Sequence, residues 1–192
     1  MDTRQFERLI AQKAKQIEQY ATTKFPAEAG NTALRFIDGN FKAQGWQGQS
    51  FQKWKPNKRK GRILVNKGHL RNATYYVTGI AMVTIKNTQP YGNIHNEGGN
   101  IKIPVTDKMR KFAWAMYFKE GGGKIKGKSA RARLRNQNAD NWKGLALTKK
   151  TYLNINIDQR QFAPTKSNPS PVLNAAVERG VVRAFKEIFN NV

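Results

Sequence analysis

Apolar positions near the N-terminus follow the α-helical repeat. Apolar side chains recur at helical spacing over residues 3–22, and a second set does so over residues 26–44. Phe25 and Pro26 separate the two patterns, because proline lacks the N–H that continues a helix. The pattern predicts two amphipathic helices whose apolar faces pack into a core.

Residues 63–99 form the central stretch, where local pattern and turn residues agree. A β-branched and aromatic run over 74–78 ends at Gly79, and partly alternating residues over 81–86 end in a turn at 87–90. This predicts a β-hairpin or meander at the centre of a sheet, with a turn from Tyr91 to Gly98 at one end.

Later residues alternate between strand-like and helical patterns. Residues 101–105 predict a short edge strand, and Thr106 and Asp107 predict the N-cap of a helix that ends at the glycines 121–123. Strict alternation of apolar and polar residues over 151–158 predicts the most clearly amphipathic strand. A last helix is expected over residues 172–189.

This order of elements predicts an α+β fold. We expect an antiparallel β-sheet with two N-terminal helices and a C-terminal helix packed on it, plus an inserted helix and a mobile basic loop. The 192 residues predict a single domain, residues 1–192, with an insertion at about 106–150. Within the insertion, residues 121–141 carry too few apolar side chains to offset the entropy of ordering, so we expect them to be mobile in the free protein.

Charge dominates the composition. The chain has 35 Lys and Arg against 12 Asp and Glu, a net charge of +23 and a pI near 10.5. Such a field attracts nucleic acid, acidic protein surfaces or anionic membranes, or it is neutralised within an assembly. Two basic runs are the candidate contacts with nucleic acid or a partner. They comprise Lys53, Lys55, Lys58, Arg59, Lys60, Arg62, Lys124, Lys126, Lys128, Arg131, Arg133 and Arg135.

The first basic run contains aromatic residues and has two interpretations. Basic residues interleaved with Phe51 and Trp54 are typical of single-stranded nucleic-acid binding by stacking. The same residues are typical of a loop that Trp46 and Trp54 anchor to the domain while the lysines face solvent. We favour the anchored loop, because the tryptophans precede the densest charge and do not alternate with it.

The sequence offers little catalytic chemistry. The absence of cysteine excludes disulfides, thiolate catalysis and Cys-ligated zinc. His69 and His95 are the only histidines. A metal site would need further carboxylate ligands, and Glu97 is the one acidic residue near them in sequence, so we favour structural or hydrogen-bonding roles for the histidines. The sequence has no phosphate-binding loop and no nucleophile elbow. We therefore expect no enzyme activity, no catalytic or metal site and no cofactor.

No signal peptide or membrane span is predicted, so we expect synthesis in the cytosol.

Several short motifs occur in a characteristic order. The motif positions are Trp54, Gly68, Leu70, Tyr91, His95, Gly98, Arg160 and Phe162. Outside about residues 106–150, this arrangement resembles the virion morphogenesis proteins of tailed bacteriophages and prophages, the family that includes the G protein of Mu-like phages and tail-completion proteins. The last motif of that family usually reads Pro-x-Arg-Pro-Phe, whereas residues 158–162 here read Asp-Gln-Arg-Gln-Phe.

The resemblance implies a structural, non-enzymatic protein that acts in tail completion and head–tail joining as a subunit of an oligomeric ring. The implied partners are other phage neck or tail proteins and further copies of the chain, with possible nonspecific contact with DNA and none with a membrane. The implied location is the virion, after synthesis in the bacterial host cytoplasm. The alternative from the charge alone is a free, sequence-nonspecific nucleic-acid-binding protein.

Overall fold

The computed structural model describes residues 2–57, 61–122 and 129–190. The fold is α+β, as the sequence predicts, with helices at both ends and short antiparallel sheets between them. The chain divides into two compact units. The first unit comprises Met1–Gly99 and Asp158–Val192, and the second comprises Asn100–Ile157.

The elements in chain order are α1 (Thr3–Gln19), α2 (Phe25–Ala43), β1 (Gly45–Gln47), β2 (Phe51–Lys53), α3 (His69–Asn72), β3 (Thr74–Gly79), β4 (Met82–Asn87), α4 (Gly92–Glu97), β5 (Gly99–Pro104), α5 (Asp107–Lys119), α6 (Ala130–Leu147), β6 (Tyr152–Ile157) and α7 (Pro171–Asn190).

Helices α1 and α2 form one continuous helical path, whereas the sequence predicted a break at Phe25 and Pro26. A π-helical segment, Tyr20–Lys24, joins them, and the Phe25 N–H donates to the Tyr20 carbonyl. Pro26 lies in the first turn of α2, directly after the π-helical segment, a position that proline tolerates. The proline therefore starts α2 without ending the path.

The core of the first unit is built on α2. Ile37 and Phe41, four residues apart on one helix face, pack with three residues from distant segments, namely Trp54, Leu70 and Phe162. The Phe41 ring lies 5.6 Å from the Trp54 ring and 5.2 Å from the Phe162 ring, measured between centroids. Burial of these side chains is the main source of stability in this unit.

The hairpin predicted within residues 63–99 is confirmed as β3 and β4, which pair from Thr74↔Asn87 to Gly79↔Met82. The prediction that this stretch forms the centre of one sheet is wrong. In the part of the chain that the structure describes, the sheets are three separate pairs, β1–β2, β3–β4 and β5–β6. The chain does not continue the hairpin into a third strand, because the turn after β4 leads into α4.

In the second unit, β5 and β6 pair, and α5 and α6 pack against each other. Thr106 caps α5 as predicted, since its side chain accepts from the Met109 N–H. The expectation of a mobile loop over residues 121–141 is wrong for residues 130–141, which belong to α6. Ser129 caps this helix, and Trp142 packs edge-on against Phe112 of α5, so contacts within the unit order it. Residues 123–128 lie outside the described residues.

Candidate functional site

All eight motif positions lie in the first unit, where segments far apart in sequence converge. Trp54, Leu70 and Phe162 are buried in the core cluster. The Trp54 indole Nε1 donates to the backbone carbonyl of Gln161 at 2.9 Å. We call the eight motif positions together the motif cluster.

Two buried asparagines hold the last segment of the motif cluster. The Asn96 Oδ1 accepts from the N–H groups of Phe162 and Ala163, both at 2.9 Å. The Asn40 Nδ2 donates to the Phe162 carbonyl at 3.0 Å. Sequence reasoning missed both asparagines. The one available signal was the polar Asn40 beside Phe41 on the apolar face of α2.

A backbone hydrogen bond joins Arg160 to His95. The Arg160 N–H donates to the His95 carbonyl at 2.8 Å, and the Arg160 Nε donates to the Lys55 carbonyl at 3.1 Å. The imidazole lies edge-on to the Tyr91 ring, and its buried Nδ1 has no hydrogen-bond partner within the described residues. Burial lowers the pKa of His95 below its usual value, and the positive charge of Arg160 lowers this pKa further.

The motif glycines occupy backbone conformations that other residues disfavour. Gly98 ends α4 at φ +74°, and a Cβ there would lie 3.0 Å from the backbone nitrogen of Gln159. Gly68 precedes α3 at φ +80°. It lines a cavity of about 220 Å³ together with His69, Tyr91 and His95.

The first basic run has mixed surroundings. Trp54 is only 4% exposed, as the anchored-loop interpretation predicts. Lys53 is exposed, and Lys55 forms an ion pair with Asp158 at 3.1 Å. The Arg62 Nη2 donates to the carbonyls of Phe41 and Lys42 at the end of α2, so this guanidinium caps the helix. Lys58, Arg59 and Lys60 lie outside the described residues.

The second basic run belongs to the second unit. Lys124, Lys126 and Lys128 lie outside the described residues, and Arg131 is in the first turn of α6. The side chains of Arg133 and Arg135 are exposed on the same helix. Across residues 100–157, Lys and Arg outnumber Asp and Glu by 14 to 3, so this unit carries a dense positive charge.

A groove lined by charged residues escaped the sequence analysis. Arg35 of α2 lines it with Arg179 and Arg183 of α7. Arg179 and Arg183 are one helical turn apart, and this i, i+4 spacing was the signal that sequence reasoning could have used. Glu28 and Glu187 line the same groove, so its charge is mixed and does not by itself indicate an anionic partner.

No group of three or more His, Asp or Glu among residues 2–57, 61–122 and 129–190 is placed to hold a metal ion. None of the helices in those ranges is both long and apolar enough to cross a membrane. Comparison with protein-family models, curated proteins and solved structures returns no match. Proposals about function therefore depend on the residues and geometry described above.

Proposed function

We propose that this protein is a non-enzymatic structural component of tailed-phage or prophage morphogenesis, which acts in tail completion and head–tail joining as a ring subunit. The observation that supports the proposal is the convergence of the motif positions. Trp54, Leu70 and Phe162 come from three separate motifs and pack together. The backbone N–H of Arg160 donates a hydrogen bond to the carbonyl of His95. Motifs selected to build one fold are expected to converge in this way.

The terminal helices offer a surface for neighbouring subunits. Phe6 and Ile10 on α1 are exposed, as are Val182 and Phe189 on α7. Apolar residues exposed in this way are typical of protein–protein contacts. A ring repeats one heterologous contact around an axis. Copies that each carry a net charge of +23 repel one another, which opposes this contact until partners or DNA supply negative charge. We therefore expect a monomer, or weak association, in the isolated protein.

The experiment is complementation of a phage or prophage that lacks this gene, scored by electron microscopy and infectious titre. The wild-type gene should restore joined particles, and without it heads and tails should accumulate separately. Ile10→Arg should lower the titre by at least about tenfold if α1 contacts a neighbour, since a buried unpaired charge is costly. Ala11→Arg adds the same charge at an exposed position beside it and is the matched control. Normal joined particles in the absence of the gene would contradict the proposal.

A second candidate function is sequence-nonspecific nucleic-acid binding by the free protein. The excess of basic residues in the second unit, 14 to 3, favours it. Neutralising about six phosphates gives a log–log salt slope near −5 for duplex DNA. Replacing Arg133 and Arg135 by Gln should make this slope shallower by about two. The control is the same replacement of the exposed Arg8 and Lys15 of α1. Affinity that ignores salt, or that differs strongly between unrelated sequences, would contradict this candidate.

A further inference from the structure

An aromatic cluster lies on α5 of the second unit. The Trp114 and Phe118 rings are stacked, with centroids 6.0 Å apart and planes 25° apart. The Tyr117 ring lies 5.6 Å from the Trp114 ring and 5.3 Å from the Phe118 ring. The spacing of these residues, three and four apart, places them on one side of the helix. We call these three residues the α5 aromatic cluster.

The local structure holds the α5 aromatic cluster in place. The Gly122 N–H donates to the Tyr117 carbonyl and the Gly121 N–H to the Phe118 carbonyl, both at 3.0 Å, which is the Schellman arrangement at a helix end. A Cβ on Gly122 would lie 3.3 Å from Phe118 Cδ1 and 3.4 Å from Tyr117 Cε1, so the turn packs closely against both rings. Ala113, one helical turn before Tyr117, is fully buried, so α5 packs into the unit along this face. The cluster is therefore on a fixed helix.

The outer part of the α5 aromatic cluster faces solvent. Phe118 is 68% exposed, whereas Trp114 and Tyr117 are half-buried. Burying a phenylalanine is worth about 2 kcal/mol, so exposed rings of this size within the unit suggest a binding role. Lys111 lies one turn before Trp114, Lys119 follows Phe118, and both lysines are exposed.

We propose that the α5 aromatic cluster is a binding surface for single-stranded nucleic acid. One base stacks on the exposed face of Phe118, while Lys111 and Lys119 contact phosphates. Single-stranded binding sites combine aromatic platforms with positive charge in this way. An acidic peptide would satisfy the charge but would leave the flat aromatic faces without a matching partner. In a duplex the bases are stacked on one another, so only a single strand can use these rings.

This inference deepens the second candidate function, on which it rests, by naming the ligand and the surface. The test uses the full-length protein with a dT oligonucleotide and with a duplex of the same length, and measures affinity by fluorescence anisotropy of a labelled strand. Phe118→Ala should weaken binding of the single strand by about 5-fold to about 150-fold, the range for loss of one base–aromatic stack. Binding of the duplex should change by less than about twofold, because the charges remain.

The matched variants separate stacking from other effects. Tyr75→Ala removes an exposed ring from the first unit and should leave binding of both nucleic acids unchanged. Phe118→Tyr keeps the aromatic face and should restore single-strand binding, whereas Phe118→Leu keeps the apolar volume and should not. The far-ultraviolet circular dichroism spectrum of each variant checks that α5 and α6 remain folded.

Three results would overturn the inference. Equal losses for the single strand and the duplex in Phe118→Ala would show that the ring acts through structure and not through stacking. Unchanged single-strand affinity would show that the ring is not used. If the wild-type protein binds neither nucleic acid, the second candidate function fails together with the inference. If the wild-type protein binds nucleic acid but Phe118→Ala does not weaken binding of the single strand, the inference alone is refuted.

Discussion

The indole Nε1 of Trp54 donates a 2.9 Å hydrogen bond to the backbone carbonyl of Gln161, a residue 107 positions later in the chain. Both residues are buried, so water cannot replace the bond if it is lost. The bond ties the first motif of the chain to the last, and the adjacent Phe162 packs in the core with Trp54. Its loss should therefore have a measurable effect on stability.

Trp54→Phe should lower the free energy of unfolding in urea by about 1–3 kcal/mol, because it leaves the Gln161 carbonyl buried without a donor. Trp46→Phe is the matched control. Trp46 is 1% exposed, but its Nε1 has no hydrogen-bond partner within the described residues, so this substitution removes ring volume and an unpaired N–H without breaking a hydrogen bond. Equal losses in the two variants would contradict the role given to the hydrogen bond.

Asn96→Ala should destabilise the protein by about 2–5 kcal/mol. The substitution leaves the N–H groups of Phe162 and Ala163 without an acceptor, and each unsatisfied buried group costs about 1–3 kcal/mol. Asn93→Ala is the control, because Asn93 is exposed on the same helix, α4. Urea unfolding of both variants measures the difference. A loss no larger for Asn96→Ala than for Asn93→Ala would show that the two bonds contribute little.

Local patterns predicted the elements whose signals are local. The cap at Thr106 and the hairpin of β3 and β4 follow from a few neighbouring residues, and both are present. Helix α6 was missed because residues 130–141 have few apolar side chains of their own. This helix depends on Ser129 at its N-cap and on Trp142 packing against Phe112, a contact between residues of two different helices. Residues 130–135 are alanine, arginine and leucine, which are strong helix formers, so propensity was a local signal that the apolar pattern did not use.

The sequence identified which residues of the candidate sites are basic, but it did not predict what those residues contact in the fold. Counting lysines and arginines placed Arg62 among contacts with nucleic acid or a partner, whereas the structure pairs it with the carbonyls of Phe41 and Lys42. The groove at Arg35, Arg179 and Arg183 was missed because it joins two distant helices. Some basic side chains contact other parts of the fold, and others face solvent. Tertiary neighbours decide between the two, and no local pattern specifies those neighbours.

His95 should make stability depend on pH in the mildly acidic range. Its pKa is lowered in the folded state by burial and by Arg160, so the unfolded chain binds the proton more tightly. Stability should therefore be fully present above the unfolded value near 6.5 and should be lost as pH falls through that value toward the folded pKa. Thermal unfolding between pH 7.5 and 5.0 measures this, and His95→Gln should flatten the curve.

The control for this pH dependence is Asp38→Asn. Hydrogen bonding to Lys42, together with Arg71, lowers the pKa of Asp38, so its contribution is lost only as pH falls through the folded pKa, below the usual aspartate range. Asp38→Asn should lower stability by a constant amount between pH 7.5 and 5.0, which leaves the slope there unchanged, and the difference from the wild type should shrink below about pH 4. A slope in the mildly acidic range that persists in His95→Gln would assign the effect to other groups.

Three helix-interior glycines distinguish packing from propensity. Gly144→Ala and Gly180→Ala each place a Cβ where no atom lies within 4 Å, so each should stabilise the protein by about 0.5–1 kcal/mol through helix propensity. Gly30→Ala places a Cβ 2.6 Å from the Tyr76 ring, where α2 packs against β3, and should cost about 1–3 kcal/mol through overpacking. The double variant Gly30→Ala, Tyr76→Ala removes the clash and should recover part of this loss. If Gly30→Ala instead raises the free energy of urea unfolding as Gly180→Ala does, the close approach of α2 and β3 is wrong.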